Sequence, residues 1–409
     1  MIDPQAVPLS LYIHLPWCAR KCPYCDFNSH EGFTDSIQKP YVEALLADFD
    51  SQRAWWDDRP IESMFIGGGT PSLFEGRWLG ALLEGVSNRA ALSRHIEITL
   101  ESNPGSAESG RFAEYRAAGV NRLSIGVQSF DDRALKTLGR IHSGDEARRA
   151  LDMAAAAGFQ RWNIDLMHGL PGQDAQSGAS DLTEAVSRSA GHISWYQLTI
   201  ERNTRFWSTP PALPDESALE SIQQAGEGIL ADAGLHQYEV SAFSREGEES
   251  RHNLNYWRFG DYIGLGAGAH GKISLSDGTI IRTQRTRAPA DYLAVTSSSP
   301  LSPPQGIAIS PAEKITEFAM NALRLRSGVP VAQFTQTTGT AVDQLTAAAE
   351  TAVSRGWLEA LGTGQFVTTP LGYQFLDSVI ETFLQPAPQE AIDQSDTKTL
   401  RQQISGKPR

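Results

Sequence analysis

All three cysteines of this chain lie in one short run, Cys18-Ala-Arg-Lys-Cys22-Pro-Tyr-Cys25. A fold built on this sequence must therefore present three thiols on a single loop. A disulfide accounts for the pattern poorly, because an odd count leaves one thiol over and the intervening chain is too short to staple anything. Zinc would need a fourth ligand, for which His14 and His30 are the candidates nearby. The spacing favours a [4Fe–4S] cluster held by Cys18, Cys22 and Cys25, with the fourth iron free of protein ligands and open to a small molecule.

Composition limits what surrounds that loop. A formal net charge of −13 argues against a broad electrostatic grip on nucleic acid or anionic lipid. No apolar run approaches the roughly 20 residues of a membrane span. The start, Met1-Ile-Asp-Pro-Gln-Ala-Val, lacks the basic and apolar stretches of a signal peptide. A compartment that keeps thiols reduced is expected, and the cytoplasm is the simplest choice.

Six short strand-like runs recur through the first half: Leu11–His14, Met64–Ile66, Ile96–Leu100, Arg122–Val127, Trp162–Met167 and Ile193–Ile200. Helical patterns separate them, including Tyr41–Phe49 and the alanine-rich Ala147–Ala157. Alternating strands and helices predict a parallel α/β sheet. The strands lead into Gly67-Gly-Gly-Thr-Pro71, Glu101-Ser-Asn-Pro104, Gln128-Ser-Phe130 and the run from Asp165 to Gly169. Reactive residues at the C-terminal ends of parallel strands predict a barrel mouth. Six units make a partial barrel, open on one side.

The pattern changes near residue 240. Residues 241–298 carry Arg251-His-Asn-Leu-Asn-Tyr-Trp257 and the glycine-rich Gly264–Gly271, and 299–310 read as a Pro/Ser-rich linker. The glycine-rich run lacks the strand, turn, helix and acidic residue of a dinucleotide site, so NAD is discounted. In 311–380 two helical patterns, Glu313–Leu325 and Thr340–Arg355, precede a small β-wing. This predicts a winged-helix-like domain with too few basic residues for DNA. Residues 381–409 read as a polar, disordered tail.

In order along about residues 9–377, these motifs resemble the anaerobic coproporphyrinogen III oxidase family of radical-SAM proteins, most closely its HemW branch of heme chaperones. The carriers are Leu11-Tyr-Ile-His-Leu-Pro-Trp-Cys18, Gly67–Pro71, Glu101–Pro104, Gly126–Phe130, Asn163–Gly172 and His252-Asn253-Leu-Asn-Tyr256-Trp257. The resemblance implies a partial (β/α)6 radical-SAM barrel over 1–240, binding S-adenosylmethionine (SAM) beside the cluster. It places Gly68, Gly69 and Thr70 on SAM, with Tyr12 and Tyr24 flanking it. The glycines would admit close backbone approach, and Glu101 would supply a carboxylate for an ammonium or ribose hydroxyl. Gln128, Arg140 and Asp165 match positions facing a second SAM or a substrate.

Two departures separate the chain from the oxidase branch. That branch has a further cysteine where this chain has Phe27, and an N-terminal extension where this chain has only a short stretch before Leu11. The implied function is therefore a heme chaperone that carries heme to an acceptor protein. Porphyrinogen oxidation by a SAM-derived radical is the alternative. His252 is the expected axial heme ligand, with Trp257 on the ring face and His270 as the rival ligand.

Overall fold

The computed structural model describes residues 1–56, 59–105, 110–297 and 301–384. The six expected strands are present as β1 (Leu9–Leu15), β2 (Ile61–Gly68), β3 (Leu92–Ser102), β4 (Arg122–Gln128), β5 (Arg161–His168) and β6 (His192–Gln197). They pair in sequence order, all parallel. β1 and β4 are almost wholly buried, so even their polar members Ser10, His14 and Gln128 lie inside. Capping boxes fix two of the connecting helices: Ser143 with Glu146 starts Gly144–Ala156, and Asp174 with Ser177 starts Ala175–Arg188.

The sheet does not stop at six strands. Antiparallel β7 (His236–Glu239) and β8 (Ala242–Ser244) close the β6 edge, and β9 (Asp261–Leu265) pairs parallel with β1. β10 (His270–Ser274), β11 (Ile280–Gln284) and β12 (Gly306–Ala308) then continue outward antiparallel. Residues 306–308 thus correct the linker expectation: within a Pro/Ser-rich stretch, three residues find an edge to pair with. The glycine-rich run forms the turn between β9 and β10. A Cβ on Gly266 would collide with the His14 carbonyl, so this turn packs against the end of β1.

Two short helices, Pro370–Gln374 and Leu376–Glu381, end the described C-terminal part, and three rather than two precede them, Pro311–Ala322, Val331–Thr338 and Val342–Ser354. The middle helix follows Val329-Pro330, the first strand of a two-stranded sheet completed by Gln365–Phe366. Its core stacks Phe318 against Phe334 and Phe366. Phe383 is buried there too, so packed chain continues past 381; the remaining tail, from 385, lies outside the described residues. Among the described residues no helix is long and apolar enough to cross a membrane.

One buried polar cluster fastens the end of β1 to the rest. Tyr41, on helix Gln38–Ser51, donates to the His14 carbonyl at 3.0 Å and accepts the Ala267 N–H at 2.8 Å. One helical face further on, Asp48 accepts from Arg285, from the Tyr292 hydroxyl at 2.8 Å and from Gln52 at 2.8 Å. Asp48 is fully buried. Replacing it leaves the Arg285 cation buried without its counter-charge, so Asp48→Ala is expected to lower unfolding stability by about 3–5 kcal/mol, read from urea melts of wild type and variant.

Candidate functional site

β1 ends at Leu15 and the cysteine loop leaves it directly. The loop closes on itself: Cys18 N–H donates to the His30 carbonyl at 2.9 Å, and His30 N–H returns to the Pro16 carbonyl at 2.7 Å. Its three free, half-buried thiols edge a cavity of about 320 Å³ at the C-terminal ends of the parallel strands. Tyr24, Gly68, Gly69, Thr70, Glu101, Gln128, Arg140 and Asp165 line the same cavity. Eight of the nine residues assigned to SAM by resemblance therefore meet beside the thiols, although their sequence positions span more than a hundred residues. Tyr12 does not line it. Its hydroxyl bonds His14 Nδ1 at 2.9 Å beneath the site.

The Gly68–Thr70 segment is shaped by the cysteine loop as much as by any ligand. Gly69 N–H donates to the Leu15 carbonyl at 2.9 Å and Thr70 N–H to the Trp17 carbonyl at 2.7 Å. Gly68 N–H donates to Glu101 Oε2 at 3.0 Å. With these donors engaged, what the segment can add to ligand recognition is acceptors, suited to an ammonium. Gly68 has φ +119°, and a Cβ there would come within 2.6 Å of the His14 ring. On Gly69 it would collide with the Trp17 backbone. The expected reason for these glycines thus changes: they let β2 lie against the root of the cysteine loop.

His14 answers the zinc alternative. Its Nδ1 is bonded to Tyr12 and its Nε2 to the Asn28 carbonyl at 2.8 Å, so neither nitrogen is offered to a metal. Burial and the neighbouring His30 and His270 hold it below its ordinary pKa, against the Asn28 bond. The three thiols that remain suit a cluster able to span them and leave one iron facing the cavity.

Among the charged groups that line the cavity, Glu101, Asp165 and Arg140 lie on its strand-end wall. Burial pushes Glu101 up to about 7, with the Gly68 N–H opposing and Asp165 adding to the rise. Burial also raises Asp165, against hydrogen bonds from Asn163 at 2.7 Å and Ser124 at 3.1 Å. On the same wall, Arg140 donates to the Gly126 carbonyl at 2.7 Å and to Asn103, and its Nη1 lies 3.8 Å from Cys22 Sγ. Its Nε is buried without a partner. Gln128 holds a left-handed φ of 69° at the irregular end of β4 and accepts the Tyr196 hydroxyl at 2.6 Å. Strain of this kind at a strand end is common in functional sites.

Tyr196 and Asn103 line the cavity but were not singled out from sequence. Tyr196 was legible in principle: on β6 it lies two residues from Ser194, which pairs with Asp165 of β5, and alternate residues share a face.

The heme assignments fare differently. His252 lies on a buried helix, Arg251–Trp257, capped by Ser250, and not in a loop. Its side chain is enclosed, at 1% exposure. Nδ1 meets Ser63 Oγ at 3.1 Å, Nε2 meets the Tyr256 hydroxyl at 2.9 Å, and the ring stacks on Phe65 at 5.1 Å. Burial and Arg122 lower it to about 3. Ligating iron would require both of these bonds to break and the ring to turn out of the barrel. Trp257 is half-buried under the Arg324 guanidinium, 4.2 Å from its ring centroid, and lines a separate cavity of about 220 Å³ with Tyr256 and Tyr262. His270, at the start of β10, is exposed.

The comparisons with known proteins agree with this geometry. Residues 12–185 match the radical SAM superfamily and residues 309–375 the HemN C-terminal domain. Heme chaperone HemW of Escherichia coli is 46% identical over 92% of this chain and 98% of its own length. That of Haemophilus influenzae is 42% identical over 93% and 99%. A mouse relative, radical S-adenosyl methionine domain-containing protein 1, mitochondrial, is 41% identical over 68% of this chain and 63% of its own. Among solved structures, the E. coli coproporphyrinogen III oxidase HemN superposes with a TM-score of 0.77 at 20% identity, covering 93% of this chain and 90% of that one. This last likeness is one of fold.

The fit of Gly69 against the cysteine loop yields a prediction. Gly69→Ala is expected to displace the Trp17 carbonyl and, with it, Cys18. Iron retained after anaerobic reconstitution and desalting should fall at least several-fold, while Gly228→Ala, at a helical site with ordinary φ where a Cβ meets nothing, should retain iron as wild type does.

Proposed function

Because the chain belongs to the HemW family, built on the radical SAM scaffold, we propose that it is a heme chaperone. It binds one [4Fe–4S] cluster, SAM and heme, and passes the heme to an acceptor protein. The observation that carries this is relationship along nearly the whole chain to HemW heme chaperones, joined to a cavity that gathers three thiols with groups suited to SAM.

Within the cavity, Cys18, Cys22 and Cys25 would hold the cluster, which would supply an iron site open to SAM. Glu101 and the Gly68–Thr70 acceptors face cationic or hydroxyl groups of the ligand. The unpartnered Nε of Arg140 is available to an anionic group. Gln128, Asp165 and Tyr24 complete the wall, and Tyr12 supports the floor through His14. The acidic chain does not favour nucleic acid, and the free thiols suit the reducing cytoplasm.

The function is tested by titrating heme into anaerobically reconstituted protein and, separately, supplying coproporphyrinogen with SAM and reductant. Heme uptake with a defined Soret band and untouched coproporphyrinogen is expected. Coproporphyrinogen consumption without heme binding would establish the oxidase alternative. In the same titration His252→Ala should keep the wild-type Soret position, because the ring is committed to Ser63 and Tyr256.

SAM binding should depend on pH through Glu101. Its carboxyl must lose a proton to act wholly as an acceptor for the N–H and hydroxyl groups of SAM, and burial holds it up at about 7. Affinity should therefore rise as pH climbs toward 7, by at most about tenfold per pH unit, and level off above. Calorimetry on Glu101→Gln should give a flat profile.

A further inference from the structure

Three large apolar side chains stand out into solvent around the cavity mouth: Phe27 at 61%, Ile141 at 57% and Trp207 at 53% exposure. They come from separate segments that meet at Pro23. Phe206 N–H donates to the Pro23 carbonyl at 2.9 Å, and a Cβ on Gly139 would lie 2.6 Å from the Pro23 ring. Each apolar side chain has an exposed cation beside it. Lys21 Nζ donates to the Phe27 carbonyl at 2.9 Å. Arg20 bonds the carbonyls of Gly139 and Arg140, immediately ahead of Ile141. The Arg202 guanidinium lies 5.8 Å from the Trp207 ring centroid.

Exposed apolar groups collected at one place and bordered by charge mark a binding surface. In a chain of net charge −13, each of these three apolar side chains still has a cation beside it, while Glu31 accepts the Lys21 backbone N–H at 2.9 Å. Asp26 and Glu201 also reach the mouth, as part of the cavity lining. The occupant that complements this surface is flat, apolar and carries carboxylates.

We propose that this rim is the heme-docking surface, with the macrocycle lying across Phe27, Ile141 and Trp207 and its propionates meeting Arg20 and Arg202. The assignment rests on the heme-chaperone reading and adds a location to it. None of the six rim residues is a histidine, so the grip is on ring and carboxylates, which leaves the iron open to an acceptor's own ligand.

The test uses reconstituted holoprotein and two variants outside the SAM cavity lining, Ile141→Ala/Trp207→Ala and Arg202→Glu. Heme affinity, read from Soret titration, should weaken at least tenfold in the first and severalfold in the second, with iron content and SAM affinity unchanged. Metal-free protoporphyrin IX should compete with heme in the wild type, and its dimethyl ester should not. Wild-type protein that takes up no heme overturns the function and this surface together. Wild type that binds heme while both variants bind it equally well, or equal competition by the dimethyl ester, overturns this surface alone.

Discussion

The backbone contact between the root of the cysteine loop and the end of β2 is the constraint on which the site depends. Leu15 and Trp17 offer carbonyls to the N–H groups of Gly69 and Thr70, and a side chain at Gly69 would push the two strands' ends apart. The same contact sets the height of Cys18 above the cavity. From below, Tyr41 and Gly266 lie against the His14 carbonyl, so the first strand's end is held on both faces before any cofactor arrives. A loop fixed in this way presents its thiols with little ordering left to do on binding.

Held there, the loop meets a wall whose charges are matched to a ligand rather than to one another. Glu101 and Asp165 are both half-buried in the cavity wall and both pushed up, while Arg140 is anchored by Gly126 and Asn103 and pairs with neither carboxyl. Buried carboxyls without a cationic partner are costly unless they take up protons. A ligand that brings its own sulfonium cation and hydrogen-bond donors relieves that cost, which is why the arrangement reads as a binding site and not as an internal salt bridge.

Much of this was legible in the sequence where chemistry and periodicity coincide. The six parallel strands followed from their apolar runs, and the thiols, glycines, Glu101 and Arg140 from motifs at strand ends. What stayed hidden was what long-range pairing decides. β9 joins β1 across some two hundred and fifty residues of chain, and β12 forms in a Pro/Ser-rich stretch only because β11 offers an edge. The surroundings of His252 were hidden for a related reason: in sequence it stands among polar residues, yet one helical turn aims it into the barrel, where Ser63, Tyr256 and Phe65 enclose it.

The most direct test is iron-edge anomalous diffraction from crystals of reconstituted, heme-loaded protein. The account predicts a compact four-iron peak bonded to Cys18, Cys22 and Cys25 and one separate iron at the cavity rim near Trp207, with His252 still bonded to Ser63 and Tyr256. An iron within ligand distance of His252, or no cluster peak at the three cysteines, would contradict it.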